Sequence, residues 1–397
     1  MDTRGISTTD IFSLTVQQAD QLESLANSAL SSGIDQYVNK NYERAVKEFK
    51  RAVALAPNSS SAVEALNYMA QVYLNLNDAQ GAIDCYKRAV ALDPTREDTR
   101  TSLAKLYYFE KRYEEAQREY EQVVRLNPNA ANRFSLGQAY MANGRYSDAE
   151  EQFRKVQALE PQKPGGYYGL GQSYARRGLF DEAVMAFKEA IGVQEDFYDA
   201  YAELGYAYAD AGRIDEAEDV LEFLEDHDSD LAGTLSGYIY QVRAPRIFFA
   251  DPVKSSFPYY RYSAGTRLSA LDAYLANAGA SKTYSMTFYF DKPMDRQSVQ
   301  NPFNWRIGRS EETGAGRLYN FGLAIPSTEI TLNPFPVSVQ YDADNWSATV
   351  RFVLQQNTTG DGTIDPGHIQ FAFCGKDAFG VTMDRKADQF MGFSGVI

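Results

Sequence analysis

A single motif recurs through the first half of the chain and restricts what that half can fold into. In four places an alanine lies twelve residues before a proline, and in two further places the alanine is kept without the proline. The six alanines are Ala45, Ala82, Ala116, Ala149, Ala183 and Ala217. Because a period of about 20 to 50 residues is typical of repeat architectures, these six units predict an array of stacked structural repeats.

Each unit has the pattern of a helix, a tight turn and a second helix. In the fourth unit, Gly137 follows a leucine and Tyr140 lies three residues further on, which places both on one helix face. Gly144 then allows a left-handed helix end. The second helix carries Ala149 and, four residues later, Phe153. Since one such pair cannot bury its apolar face alone, neighbouring pairs are expected to stack.

These small, aromatic and proline positions recur in register, and the chain resembles the tetratricopeptide repeat (TPR) family over residues 26–231. The resemblance implies a multidomain chain that begins with an all-α solenoid of six helix pairs, wound as a right-handed superhelix. The six units are predicted at residues 26–59, 63–96, 97–129, 130–163, 164–197 and 198–231. A partly ordered lead-in is predicted at residues 1–25.

The resemblance also implies a concave groove, lined by the first helix of each unit, that binds an extended peptide or a helix of a partner protein. The groove positions, carried over one by one, are Tyr37, Asn67, Gln71, Asn75, Lys105, Tyr108, Phe134, Gln138, Met141, Tyr168, Gln172, Arg176 and Tyr206. Aromatic rings suit apolar side chains and amides suit a peptide backbone. The alternative is that several of these residues pack against the next repeat. The carboxylate clamp of the family is disfavoured, because Leu30, Ile34, Asp98 and Ser102 occupy four of its positions.

The second half of the chain has a different pattern. The helical period stops near residue 245, and strands are predicted at residues 246–250, 284–290, 304–307, 337–341, 347–354 and 369–374, with a short helix at 265–278. Residues 286–295 resemble the opening of bacterial Ig-like domains, and residues 375–381 resemble their closing strand. The resemblance implies an all-β Ig-like sandwich at residues 280–397, after a connecting segment at residues 232–279.

Charge is unevenly distributed along the chain. The net charge of −14 would repel a phosphate backbone, which argues against a nucleic-acid partner. Residues 195–230 hold 14 acidic side chains and one basic one, whereas residues 243–267 hold five basic and one acidic. We expect either that the basic segment docks on the acidic repeat or that the acidic residues form a solvated face.

Three patterns resemble ligand sites and are interpreted as structure. Residues 357–365 carry oxygen-bearing side chains at alternate positions, but His368 stands where a calcium loop requires glutamate. Gly166, Gly169 and Gly171 imitate a phosphate loop without its lysine and are assigned to helix packing. Two isolated histidines and two distant cysteines favour no catalytic triad, metal site or disulfide framework. We therefore predict no catalytic residue, no cofactor and no metal.

The favoured function is a non-enzymatic adaptor that binds a protein or peptide in the groove and uses the β-domain as a second docking surface. The alternative is a structural or surface-assembly subunit in which the β-domain of one copy docks on the solenoid of another, giving a homo-oligomer. No apolar run reaches the roughly 18 residues of a membrane span, and the first residues lack a signal-peptide pattern. A cytoplasmic location is expected; the alternative is export or surface display without a cleaved signal peptide.

Overall fold

The computed structural model describes residues 8–227, 229–312 and 316–392, with side chains described from residue 17 onward. The chain forms two compact units, Met1–Leu235 and Ser236–Ile397. The first is helical and the second is β-rich, as the sequence predicts. Residues 1–7 of the predicted lead-in lie outside the described residues, and from Thr8 the lead-in is helical.

The helices from residue 8 to residue 242 form six consecutive pairs, which are followed by one further helix. They are α1 (Thr8–Val38), α2 (Tyr42–Leu55), α3 (Ser60–Asn75), α4 (Ala79–Leu92), α5 (Glu97–Phe109), α6 (Tyr113–Leu126), α7 (Ala130–Ala142), α8 (Tyr146–Leu159), α9 (Gly165–Arg176), α10 (Phe180–Val193), α11 (Tyr198–Asp210), α12 (Ile214–Asp226) and α13 (Leu231–Val242). In the described part of the chain, no helix combines the length and the apolar character that crossing a membrane requires.

Local hydrogen bonds and backbone geometry set where these helices begin and end. The Asp78 carboxylate accepts from the Gly81 amide at 2.8 Å and caps α4. Gly178 takes the left-handed conformation after α9, with φ of 73°, as the turn pattern predicts. In the first and third pairs, Lys40 and Lys111 adopt the same conformation, with φ of 59° and 58°. A helix end in this array therefore tolerates a lysine where later repeats use glycine.

Alanine and one aromatic ring fill the space inside the first five helix pairs. Phe153 and Phe187 are fully buried on α8 and α10. A methyl group added at Gly137 would lie 2.6 Å from the Phe153 ring, and one added at Gly171 would lie 2.5 Å from the Phe187 ring. These distances are too short for a side chain, so the first helices need glycine there. The predicted assignment of Gly171 to helix packing is confirmed.

The second unit contains nine β-strands among its described residues. They are β1 (Ile247–Ala250), β2 (Thr266–Arg267), β3 (Ser281–Phe290), β4 (Trp305–Arg309), β5 (Ser338–Asp342), β6 (Ser347–Gln355), β7 (Thr363–Ile364), β8 (Ile369–Phe373) and β9 (Gln389–Met391). The strands form a four-stranded sheet of order β1-β3-β6-β5, a three-stranded sheet of order β4-β8-β9, and the pair β2-β7. The strand pairs are antiparallel.

Aromatic side chains join the two larger sheets in one core. Phe288 of β3 stacks on Trp305 of β4 with ring centroids 5.5 Å apart, and it meets Phe371 of β8 at 5.4 Å. Phe352 of β6 reaches the same Phe371 ring at 5.3 Å. All four rings are at most 2% exposed. Large aromatic burial of this kind supplies most of the driving force for such a fold.

Two segments of the second unit depart from the sequence expectation. Residues 232–279, expected to connect two domains, contain α13, β1 and β2, and contribute the fully buried Phe257, Leu268 and Leu275 to the core. Residues 375–381, expected to form a closing strand, contain no named strand. Their backbone turns instead, because the Asp377 carboxylate accepts from the Phe379 and Val381 amides.

A buried lysine satisfies the carbonyl end of α13. The Lys292 ammonium donates to the carbonyl oxygens of Tyr240 at 2.9 Å and Arg243 at 2.7 Å, and lies 2.6 Å from the Asp377 carboxylate. Both charged side chains are fully buried. The last carbonyls of a helix lack partners within it, so Lys292 supplies the missing donors while Asp377 balances its charge.

Candidate partner-binding groove

The repeat register places the predicted groove residues on the first helix of each pair. Tyr37 lies on α1, and the others lie on α3, α5, α7, α9 and α11. Four are exposed: Gln71, Asn75, Lys105 and Arg176. The other nine are partly exposed. We call this set of thirteen positions the first-helix face.

Side-chain amides connect successive repeats along the first-helix face. The Gln138 amide on α7 donates to the Gln172 carbonyl oxygen on α9 at 3.1 Å. Gln172 in turn donates to the Glu203 carboxylate on α11 at 3.4 Å. These three side chains form a polar ladder across three helix pairs. The sequence predicts the two glutamines but misses Glu203, because the register points to Tyr206, one helical turn later.

Tyr108, Phe134 and Tyr168 of the face each contact a ring on the second helix of the same pair. Tyr108 meets Tyr113 with centroids 5.4 Å apart, and Phe134 meets Phe153 at 5.5 Å. Tyr168 lies 5.9 Å from Phe187, the buried ring of α10. Because these three rings pack against buried or half-buried rings, their orientations are restrained, which would lower the entropy cost of binding a ligand.

Tyr37, Asn67 and Asn75, three more of the predicted groove residues, also form hydrogen bonds within the solenoid. Asn67 donates to the Thr99 hydroxyl at 2.8 Å and accepts from it at 3.1 Å, which ties α3 to α5. Asn75 donates to the Tyr37 hydroxyl at 3.4 Å. The Asn67 contact matches the alternative in which groove positions pack against the next repeat. A hydrogen bond to a threonine 32 residues away cannot be predicted from the local sequence.

Electrostatics distinguish the α9–α11 part of the face. Burial raises the pKa of the Glu203 carboxyl, as does Asp199, while the Gln172 amide and the Arg176 guanidinium oppose that shift. Burial also raises the pKa of Tyr168, and the Glu203 and Asp199 carboxylates add to it. This end of the face therefore combines a half-buried carboxyl with the exposed cation of Arg176.

The calcium-like loop and His368 have local structural roles. The Asp361 carboxylate accepts from the Asn357 amide at 2.7 Å, as in a self-contained turn. His368 is buried, with Nδ1 2.6 Å from the Asp365 carboxylate and Nε2 2.8 Å from the Gly316 carbonyl. Among residues 8–227, 229–312 and 316–392, no group of three or more His, Cys, Asp or Glu side chains is placed to hold a metal ion.

The basic segment at residues 243–267 has partners inside the second unit. Arg246 forms an ion pair with Asp291 at 3.3 Å, and Arg243 approaches the same carboxylate at 3.9 Å. The Lys254 ammonium donates to the Tyr289 hydroxyl at 2.5 Å. Docking of this segment on the acidic repeat stays a prediction.

Comparisons with known proteins identify the repeats. The sequence profile of the Tetratricopeptide repeat family matches residues 101–164 and 168–226, and a second profile of that description matches residues 63–96. No curated protein matches the sequence.

Solved structures of similar proteins cover about half of the chain. A tetratricopeptide repeat protein from Parabacteroides merdae is 19% identical, with a TM-score of 0.48, over 54% of this chain and 86% of its own. MamA is 24% identical, with a TM-score of 0.39, over 43% and 92%. YrrB, described as a TPR protein with an unusual peptide-binding site, is 20% identical, with a TM-score of 0.38, over 48% and 97%. These scores are below 0.5, so the assignment rests on the profile matches and the repeat geometry. Residues 63–96, 101–164 and 168–226 of the helical unit are tetratricopeptide repeats.

Proposed function

We propose that the chain is a non-catalytic scaffold whose first-helix face binds an extended peptide or a helix of a partner protein. The observation that carries this proposal is the polar ladder of Gln138, Gln172 and Glu203. A glutamine amide has two donor hydrogens and two acceptor lone pairs. The ladder uses one donor and one acceptor of Gln172. The remaining capacity suits the alternating N–H and C=O groups of an extended backbone.

The aromatic residues supply the apolar part of the same surface. Tyr108, Phe134 and Tyr168 are partly exposed and braced from behind by second-helix rings. Rigid aromatic anchors beside polar groups are typical of energetically dominant interface positions. We infer that they hold apolar side chains of the partner while the ladder holds its backbone.

Affinity capture from the native lysate with the full chain tests this proposal. Lys105→Ala combined with Arg176→Ala removes two exposed cations from the first-helix face. Lys87→Ala combined with Arg118→Ala removes the same two residue types from exposed sites on second helices. The first variant is expected to lose captured partners that the second retains. Equal recovery by both variants would contradict binding at the first-helix face.

We further propose that the second unit is an Ig-like β-domain that offers another docking surface. Several of its large apolar side chains are exposed: Phe248 at 72%, Val253 at 91%, Phe303 at 71% and Leu323 at 69%. Phe303 also packs edge-on against Phe335 with ring centroids 5.3 Å apart, and such contiguous exposed apolar surface favours an interaction site. A partner protein or a second copy of this chain would cover them.

The second-copy alternative predicts a homo-oligomer. Light scattering of the full chain over a hundredfold range of concentration would show its mass rising, and Phe303→Ser would reduce that rise. A constant monomer mass would exclude the alternative and leave the partner-binding scaffold. We also propose a cytoplasmic location, which intact protein in the medium of unlysed cells would contradict in favour of export.

A further inference from the structure

A cavity of about 510 Å³ lies in the acidic part of the solenoid, away from the thirteen first-helix positions. It is formed where α10 ends, α11 begins and α12 ends. Its side walls include Glu195, Asp196, Tyr198, Phe223 and His227. The volume falls in the range of about 300 to 1,000 Å³ that holds small ligands or single side chains.

One wall of this cavity is a series of rings in contact. Tyr201 stacks on Phe223 with centroids 4.2 Å apart and an interplanar angle of 20°. The Phe223 ring lies 4.2 Å from the His227 ring at an angle of 32°, and Tyr198 lies 5.9 Å from His227 at an angle of 44°. The tyrosines and Phe223 are partly exposed, so ring surface is available to a ligand. The faces of such rings carry partial negative charge and attract cations.

The polar groups of the cavity accept hydrogen bonds. His227 Nδ1 lies 2.7 Å from the Phe223 carbonyl oxygen. Because a carbonyl can only accept, Nδ1 carries the hydrogen, and Nε2 of the neutral ring is left as an acceptor. Glu195 and Asp196 add two carboxylates. The Glu195 carboxylate lies near enough to Tyr201 to join burial in raising the pKa of that phenol.

The surroundings of the cavity are also predominantly negative. None of the described residues that line the cavity is a lysine or an arginine. Two helices, α10 and α12, end at this cavity and α11 begins there, so two partially negative helix ends and one positive end lie beside it. Arg213 is the single lysine or arginine of the sixth repeat, residues 198–231. It forms ion pairs with Glu216 at 2.8 Å and Asp181 at 3.7 Å.

We propose that this cavity binds the guanidinium or ammonium group of a basic ligand. The rings would contact the face of the cation, Glu195 and Asp196 would balance its charge, and the carboxylates and His227 Nε2 would accept any N–H groups that it carries. The same chemistry could come from an arginine or lysine side chain of a protein or from a small organic cation. This site is independent of peptide binding at the first-helix face.

Saturation-transfer NMR on the full chain tests the proposal with three probes. N-acetyl-arginine methylamide represents a protein side chain, tetramethylammonium represents a small organic cation, and N-acetyl-citrulline methylamide is the neutral isostere of the first. At least one cation is expected to bind, with the citrulline compound several-fold weaker. Stronger binding of the arginine compound would assign the site to a protein side chain, and stronger binding of tetramethylammonium to a small cation. Equal binding of arginine and citrulline compounds, or no binding of either cation, would overturn the proposal.

Two variants localise the binding. Glu195→Gln and Phe223→Leu are each expected to weaken cation binding by about three- to tenfold, as loss of an ion pair or a cation–π contact would. Glu189→Gln removes the same charge from an exposed site on α10 outside the cavity and is expected to leave binding unchanged. Circular dichroism of Phe223→Leu checks that the repeat stays folded. Equal effects of Glu195→Gln and Glu189→Gln would place the cation elsewhere.

Discussion

The stabilising contacts inside the helical unit join residues that are close in sequence, whereas those inside the β-rich unit join residues that are far apart. In the solenoid, the ladder bond between Gln138 and Gln172 spans 34 residues, one repeat. In the second unit, Gln356 donates to the Leu275 carbonyl across 81 residues, and the Lys292–Asp377 pair joins segments separated by about half of the unit. Damage should therefore stay local in the solenoid and spread through the β-rich unit.

Replacing Lys292 should have the largest effect on stability. Lys292→Met leaves the Asp377 carboxylate and the α13 carbonyls buried without their cation, which should cost about 3 to 5 kcal/mol. Urea unfolding followed by tryptophan fluorescence measures this, because both tryptophans, Trp305 and Trp346, lie in the second unit.

Two further variants serve as controls for that measurement. Lys254→Met removes an exposed lysine from the same unit and should change stability by no more than about 0.5 kcal/mol. Adding Asp377→Leu to Lys292→Met should recover part of the loss, since no buried charge is then left unpaired. A loss in Lys292→Met no larger than that in Lys254→Met would contradict the role of the buried pair.

A methyl group at Gly171 should have a smaller and more local effect. Gly171→Ala forces the added carbon against the Phe187 ring and should cost about 1 to 3 kcal/mol. Gly192→Ala is the matched control, because nothing lies within 4 Å of its added carbon, and it should gain up to about 1 kcal/mol. Hydrogen exchange should show faster exchange in α9 and α10 and no change in α3 and α4. Uniform loss of protection across the solenoid would show that the array is not locally stabilised.

The Glu203 carboxyl should produce the smallest effect, visible as a pH dependence. Burial raises its pKa above the ordinary value of 4.5, so the unfolded chain loses this proton at a lower pH than the folded chain. Its contribution to stability therefore falls as the pH rises above 4.5. Glu203→Gln should become more stable relative to the wild type between pH 4 and pH 7, by less than about 1 kcal/mol. Glu189→Gln, at an exposed site, is the control; an identical pH profile for both variants would show that burial of Glu203 is unimportant.

The repeat unit was predictable because its signals are local. The alanine, glycine and aromatic positions each report on contacts within one helix pair, and their recurrence gives the register of the first-helix face. The same reasoning could not find the Asn67–Thr99 tie or Glu203, since both depend on how one helix rotates against the next.

The second unit was predictable only in outline. All six predicted strands are present with shifts of one to three residues at their ends, while β2, β7 and β9 are too short to show an alternating pattern. The strand predicted at residues 375–381 is a turn in the structure. This turn holds Asp377 against Lys292, which is distant in sequence, so the local pattern does not predict it. The proposed cation-binding cavity is likewise not predictable from the acidic composition of the sixth repeat, because three helices build it.

Site-specific photocrosslinking tests peptide binding at the first-helix face most directly. A benzophenone amino acid replaces Lys105 on α5 in one experiment and Lys87 on α4 in another, both at exposed positions. Illumination in the native cells is expected to link a partner protein to position 105 and not to position 87. Crosslinks of equal yield at both positions, or at position 87 alone, would contradict the assignment of the first helices as the binding surface.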